Sequence, residues 1–130
     1  MRDDVMDGIM GLADRVREIA YAIHVFHGNG HLERIYENAL VHRLRKAGLY
    51  VEQQAAVAVY DEDGALLGTC VTDLIVERVL LVELKAVARL LPEHVSQILG
   101  YLKASRIRHG ILVNFGGSQF EIRKFAFSLP

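Results

Sequence analysis

Asp73, Glu83 and Lys85 are the residues of this chain whose types and spacing are best suited to chemistry. They lie in the stretch Thr72–Lys85, TDLIVERVLLVELK, where two apolar, β-branched runs flank the polar pair Glu77-Arg78. That pattern predicts an antiparallel hairpin. Charges are rare inside such runs because an unpaired buried charge is costly. Asp73 nevertheless stands near the start of the first strand, and Glu83 and Lys85 near the end of the second. Period-two alternation puts Glu83 and Lys85 on one face, with Val82 and Leu84 on the other. Two carboxylates and a lysine at one end of a hairpin suit a divalent cation and a polarised water. A strand end carrying a solvated salt bridge is the plainer reading of the same spacing.

A shared site places a demand on the turn. With a two-residue loop at Glu77-Arg78, Asp73 would pair with Val82 and Glu83 would fall on the opposite face. A one-residue slip in register reverses every side chain. The site therefore predicts a three-residue connection (Glu77, Arg78, Val79) or a bulge, either of which sets Asp73 opposite Glu83.

The surrounding pattern supplies the elements that would position this hairpin. Val5, Ile9, Leu12, Val16, Ile19, Ile23 and Phe26 recur at spacings of four and three, so an amphipathic helix is expected over about 4–26. The stripe would fit a coiled-coil seam, but a helix packed on a sheet shows the same spacing and is preferred. Gly28-Asn29-Gly30 breaks it. A second helix is expected from about His31 to Ala47, with Leu32, Ile35, Tyr36, Ala39, Leu40 and Leu44 as its apolar stripe and Gly48 closing it. Glu33 and Glu37, four apart, share a face that by itself reads as solvated. Strands follow at Val51–Tyr60, Leu66–Val76 and Val79–Lys85, the first two joined by the acidic turn Asp61-Glu62-Asp63-Gly64, which lacks the remaining ligands of a calcium loop. Pro92 opens a third helix carrying Val95, Ile98, Leu99 and Leu102, with His94, Gln97 and Tyr101 along an adjacent face. Ile111–Phe115 and Phe120–Phe127 are the last strands. The order helix, helix, three antiparallel strands, helix, strand, strand implies an α/β domain: a mixed sheet flanked by helices, with the third helix as a crossover.

A length of 130 residues with 52% hydrophobic and 24% charged residues fits a single globular domain over 1–130. No apolar run approaches the roughly 20 residues of a membrane-spanning helix. The opening MRDDVMDG carries acids where a signal peptide would carry basic residues, so a cytoplasmic location without membrane association is expected. Cys70 is the only cysteine, which excludes an internal disulfide and a cysteine metal cluster. A formal net charge of −1 gives no global attraction to nucleic acid, so any such binding would rest on a local patch.

Gly30-His31-Leu32-Glu33-Arg34-Ile35-Tyr36 matches the pattern that names the GxxExxY proteins, small prokaryotic proteins whose fold is like that of the PD-(D/E)XK nucleases. The chain resembles this family from about Ile23 to Phe127. The resemblance runs through Ile23-His24, Tyr36-Glu37-Asn38-Ala39-Leu40, Gly48-Leu49 and Gln54 to Asp73–Glu77 and Val82–Val87. It continues through His94, Gln97, Tyr101–Ala104 and Asn114-Phe115. It departs at His27 and His31, where the pattern usually has apolar residues; a surface role is preferred for both. The resemblance implies a restriction-endonuclease-like core and, residue by residue, a site. Asp73 is similar to the metal-ligating aspartate of the second core strand, and Glu83 and Lys85 to the glutamate and lysine of the third. The backbone carbonyl of Leu84 would be a further ligand. Glu33 or Glu37 would be the carboxylate of the first core helix, and Gln97 the polar residue that some branches add from the later helix. The cofactor implied is Mg²⁺ or Mn²⁺, for which hard carboxylate oxygens are suited.

The leading expectation is a metal-dependent nuclease or related phosphodiesterase acting on DNA or RNA. The alternative is a non-catalytic nucleic-acid- or protein-binding module that keeps the fold. A third reading has the first helix serve assembly, and a homodimer burying part of that helix or a sheet edge is expected.

Overall fold

The computed structural model describes residues 2–128, with side chains from Gly8 onward. The elements are α1 (Arg2–His27), α2 (Glu33–Lys46), β1 (Val51–Tyr60), β2 (Leu66–Val76), β3 (Leu80–Lys85), α3 (Pro92–Ser105), β4 (His109–Asn114) and β5 (Glu121–Ala126). The order is the one the hydrophobic pattern implies. The five strands form one sheet in the order β1-β2-β3-β4-β5. All neighbours are antiparallel except β3 and β4, which run parallel with α3 as their crossover. A parallel pair needs such a crossover because no tight turn can join its strands.

Alternation along the central strands divides the core in two. Leu80, Val82, Leu84, Ile111 and Val113 face α1 and α2, packing with Val16, Ala20, Ile23, Tyr36, Leu40 and Leu44. Leu81 and Leu112 face α3, packing with Ile98 and Leu102. With helices on both faces, β3 is buried along its length up to the half-buried Lys85. A strand covered on both sides is expected to be nearly all apolar. Glu83 and Lys85 are its two polar exceptions, and both lie on the α3 face.

The turn between β2 and β3 has three residues. Val76 pairs with Leu80, Ile75 with Leu81 and Leu74 with Val82, so the connection is Glu77-Arg78-Val79 and Asp73 falls opposite Glu83. Glu77 (φ 51°) and Arg78 (φ 61°) occupy the left-handed region, which costs a non-glycine residue on the order of 1 kcal/mol. Tyr50 offsets that cost. Its carbonyl accepts the Glu77 N–H at 2.8 Å, and its N–H donates to Glu77 Oε2 at 3.0 Å. Its ring lies 5.0 Å from the Arg78 guanidinium carbon.

Three apolar stripes need correction. On α2, Leu32 precedes the helix and Ile35 lies on it, and both are exposed; the apolar buried side runs through Tyr36, Leu40, Val41 and Leu44. Phe26, last of the α1 stripe, is 77% exposed, while His24 is buried. Spacings of four and three repeat every 3.5 residues, and a straight helix of 3.6 drifts off such a stripe. The buried side of α1 therefore runs through Leu12, Val16, Ala20, Ile23 and His24. Val5 lies outside the described side chains. On α3, Leu99 is exposed and only Ile98 and Leu102 are fully buried.

Tyr36 is the joint between helices and sheet. Its ring stacks on Phe115 at 4.7 Å and 6°. Its hydroxyl donates to the Gly28 carbonyl at 2.6 Å and accepts the His31 N–H at 3.2 Å. This closes the loop between α1 and α2, where Gly28 (φ 68°) and Gly30 (φ 115°) adopt conformations that favour glycine. Tyr36→Phe keeps the stack but strips both loop groups of their partner. Denaturant unfolding is expected to show a loss of about 1–2 kcal/mol.

Candidate active site

The regular β2–β3 ladder ends at Leu74 and Val82, and side chains continue it. Glu83 Oε1 accepts the Asp73 N–H at 2.9 Å, and Asp73 Oδ2 accepts the Leu84 N–H at 2.9 Å. Each carboxyl group is thus pinned across the hairpin by the other strand's backbone, which holds two acidic groups side by side. Glu83 is 3% exposed, and Asp73 is half-buried. Burial, and then the neighbouring Asp73 charge, push the Glu83 pKa up to about 9, with Lys85 opposing.

Lys85 shares the face of Glu83. Its ammonium donates to Gln97 Oε1 at 2.7 Å, and Gln97 Nε2 donates to the Tyr101 hydroxyl at 3.1 Å. Among the described residues the salt bridge is Lys124 to Asp14, and Lys85 is in none. The solvated salt bridge of the plainer reading is therefore not what occupies this strand end. Tyr101 completes a chain from β3 to α3, and its pKa is raised by burial and then by the Glu83 charge. Its spacing of four from Gln97, one helical turn, was the available signal for this contact.

The two α2 glutamates separate in role. Glu37 is 4% exposed, not part of a solvated face. Gln53 Nε2 donates to its Oε2 at 2.6 Å and Gln54 Nε2 to its Oε1 at 2.8 Å. Adjacent strand residues ordinarily point to opposite faces. Gln54 sits at φ 53°, which breaks the alternation and lets both amides reach one carboxylate. Gln54 Nε2 also lies 3.5 Å from Asp73 Oδ1, so this cluster borders the hairpin site. The sequence signal was the pair Gln53-Gln54 inside an otherwise largely apolar strand. Glu33, at the first turn of α2, is exposed. Its pKa is raised, first by burial of its carboxyl against the protein, then by Asp73 and more weakly by Glu37, with Lys85 opposing. Glu33 therefore lies within the field of the hairpin charges.

The structure brings Asp73 and Glu83 together, with Lys85 and Gln97 alongside and Glu33 nearby. Among the described residues no three His, Cys, Asp or Glu side chains converge as a metal cluster. The donor set of the pair still suits a small hard cation. One oxygen of each carboxylate is pinned by backbone. Asp73 Oδ1 has only the 3.5 Å contact from Gln54, and Glu83 Oε2 has no hydrogen-bond partner among the described residues. The Leu84 carbonyl leaves the same strand edge as its N–H, the edge that faces Asp73. Elsewhere, His31 is exposed and His27 half-buried, their rings 5.9 Å apart.

Glu83 gives the protein a characteristic pH dependence. Its pKa is higher folded than unfolded, so the folded state holds the extra proton between about pH 4.5 and about 9. The stability tied to that proton is fully present below the unfolded value and is lost as pH rises through the folded one. With chelator present, the melting temperature is expected to fall from pH 5 towards pH 9. Glu83→Gln, which keeps the acceptor for Asp73 N–H, is expected to melt higher than wild type at pH 8 and to flatten the slope.

The fold has a counterpart among solved structures. The fold is similar to that of a solved structure, the crystallised protein SSO0001, with a TM-score of 0.60 at 18% sequence identity. The match covers 75% of this chain and 50% of the other, so the chain spans half the length of that protein. A search of the curated proteins finds no match. The sequence matches the profile of the PD-(D/E)XK nuclease superfamily over residues 11–125, nearly the whole chain and all the residues of the site. With the profile matched over nearly its whole length, on a mixed sheet flanked by helices, the chain belongs to the PD-(D/E)XK nuclease superfamily.

Proposed function

We propose that the protein is a divalent-metal-dependent phosphodiesterase that hydrolyses DNA or RNA. The observation that carries this reading is the carboxylate pair Asp73–Glu83, pinned across a buried hairpin with Lys85 on the same face. A purely structural hairpin has no need of this arrangement, which burial and repulsion make costly. Mg²⁺ or Mn²⁺ would be held by Asp73, Glu83 and the Leu84 carbonyl, with Glu33 as the nearby third carboxylate. When bound, the ion neutralises phosphate oxygens and lowers the pKa of a water. Lys85, steadied by Gln97, orients the attacking water and stabilises charge developing on the phosphate. Of the two α2 glutamates, Glu33 is the better candidate, because both oxygens of Glu37 are already engaged by Gln53 and Gln54. Glu37 then acts by holding Gln54 beside Asp73.

The assay is incubation with single- and double-stranded DNA and RNA, with Mg²⁺ or Mn²⁺ against chelator. Lys85→Ala is expected to abolish cleavage while leaving metal binding nearly intact, and Asp73→Ala to abolish both. Chelator-insensitive cleavage, or equal cleavage by Lys85→Ala, contradicts the reading. A non-catalytic nucleic-acid- or protein-binding module is the second reading, and within it the net charge of −1, which gives no global attraction to nucleic acid, favours a protein partner. Absence of both metal binding and cleavage would select it.

Self-association into a homodimer is part of the same proposal. Met10, Tyr21, Val25 and Phe26 leave large apolar side chains exposed on α1. Light scattering at high micromolar concentration is expected to give the mass of a dimer; a monomer mass refutes it.

A further inference from the structure

Asn114 is a polar residue at the end of an otherwise apolar strand, and it is 0% exposed. Burying an amide is costly unless every donor and acceptor is satisfied. Here all are. Oδ1 accepts the Val87 N–H at 3.0 Å and the Gly116 N–H at 3.1 Å. Nδ2 donates to the Val87 carbonyl at 2.9 Å and to Glu121 Oε1 at 3.1 Å. The same Glu121 oxygen accepts the Leu90 N–H at 3.4 Å. Val87 and Leu90 belong to the connection that leaves β3 at Lys85 and enters α3 at Pro92. A Cβ on Gly116 would overlap the backbone of Ala86 and Val87, so the connection lies directly against the β4–β5 turn.

This connection links the two ends of one contact. Lys85 is the last residue of β3, and Gln97, which receives its ammonium at 2.7 Å, is on the helix that the connection leads into. The Phe115 N–H, next to Asn114, bonds to the Lys85 carbonyl at 2.9 Å. We infer that Asn114 and Glu121 are positioning residues for Lys85: they clamp the connection 86–91 so that the Lys85 ammonium meets Gln97 beside the carboxylate pair. Neither residue touches the reacting atoms. The inference rests on the proposed phosphodiesterase only for its effect on rate, because the position of the lysine can be read separately.

The test compares wild type, Asn114→Ala, Glu121→Ala and Glu121→Gln in the full chain. The readouts are the Lys85 ¹⁵Nζ resonance, amide exchange at Leu90, Mn²⁺ binding, and kcat and KM for cleavage. Glu121→Ala is expected to speed Leu90 exchange, shift the Lys85 resonance and lower kcat by about tenfold or more, with KM and Mn²⁺ binding unchanged. Misplacement of a catalytic group by about 1 Å can cost up to about a hundredfold. Glu121→Gln, whose Oε1 accepts the same bonds, is expected to restore all three. Asn114→Ala is expected to have the larger effect; if it fails to fold, the Glu121 pair decides. Faster Leu90 exchange in Glu121→Ala with a wild-type Lys85 resonance and kcat overturns the inference, as does failure of Glu121→Gln to restore them. If wild type cleaves nothing, the proposed function fails, and the Lys85 resonance still decides the positioning.

Discussion

Two carboxylates held side by side in the middle of a sheet are the constraint on which the rest depends. Ionised together, Asp73 and Glu83 would repel, and burial strengthens that repulsion because the interior screens charge less than water does. The pair persists because each acid accepts the backbone N–H on the opposite strand, at 2.9 Å in both directions. Those bonds exist only in one register. Here that register comes from the three-residue turn, in which Tyr50 bonds to Glu77 and lies against Arg78, both in left-handed conformations.

The neighbouring elements carry the same constraint outward. α3 covers the face on which Glu83 and Lys85 project, and its Gln97–Tyr101 pair takes up the lysine. α2 brings Glu33 into the field of Asp73 and sets Glu37 against Gln53 and Gln54. Around the acid pair, Lys85, Gln97, Glu37, Gln53 and Gln54 are each bonded to another part of the fold. A site that leaves two carboxylate oxygens as its least engaged atoms stores repulsion, which a proton or a cation would relieve. Such tension between stability and function is common at active sites.

Much of this was legible in the chain. The hairpin was readable because strand alternation is strict: a shared face for Asp73 and Glu83 admits few turn lengths, and the three-residue turn is the one found. The order of elements followed from the same periodicities. The rest depended on contacts between distant segments. Glu33 and Glu37 share a helical face and look equivalent, but the left-handed backbone at Gln54 turns two amides on one of them, and spacing along α2 carries no trace of that. Phe26 continued the α1 stripe on paper and left it in three dimensions, because helix and stripe have different periods. Asn114 passed as part of the apolar strand Ile111–Phe115, because its four hydrogen bonds go to groups on Val87, Gly116 and Glu121, as far as 27 positions away.

The central claim is that the Asp73–Glu83 pair exchanges a proton for a divalent cation. Calorimetric titration with Mn²⁺ near neutral pH, repeated in buffers of different ionisation enthalpy, tests it most directly. Below a Glu83 pKa of about 9 the folded protein holds a proton that the ion must displace. The account predicts saturable binding that releases about one proton per ion, and loss of that binding in Asp73→Ala. No heat at millimolar Mn²⁺, or binding with no proton release that survives Asp73→Ala, would contradict it.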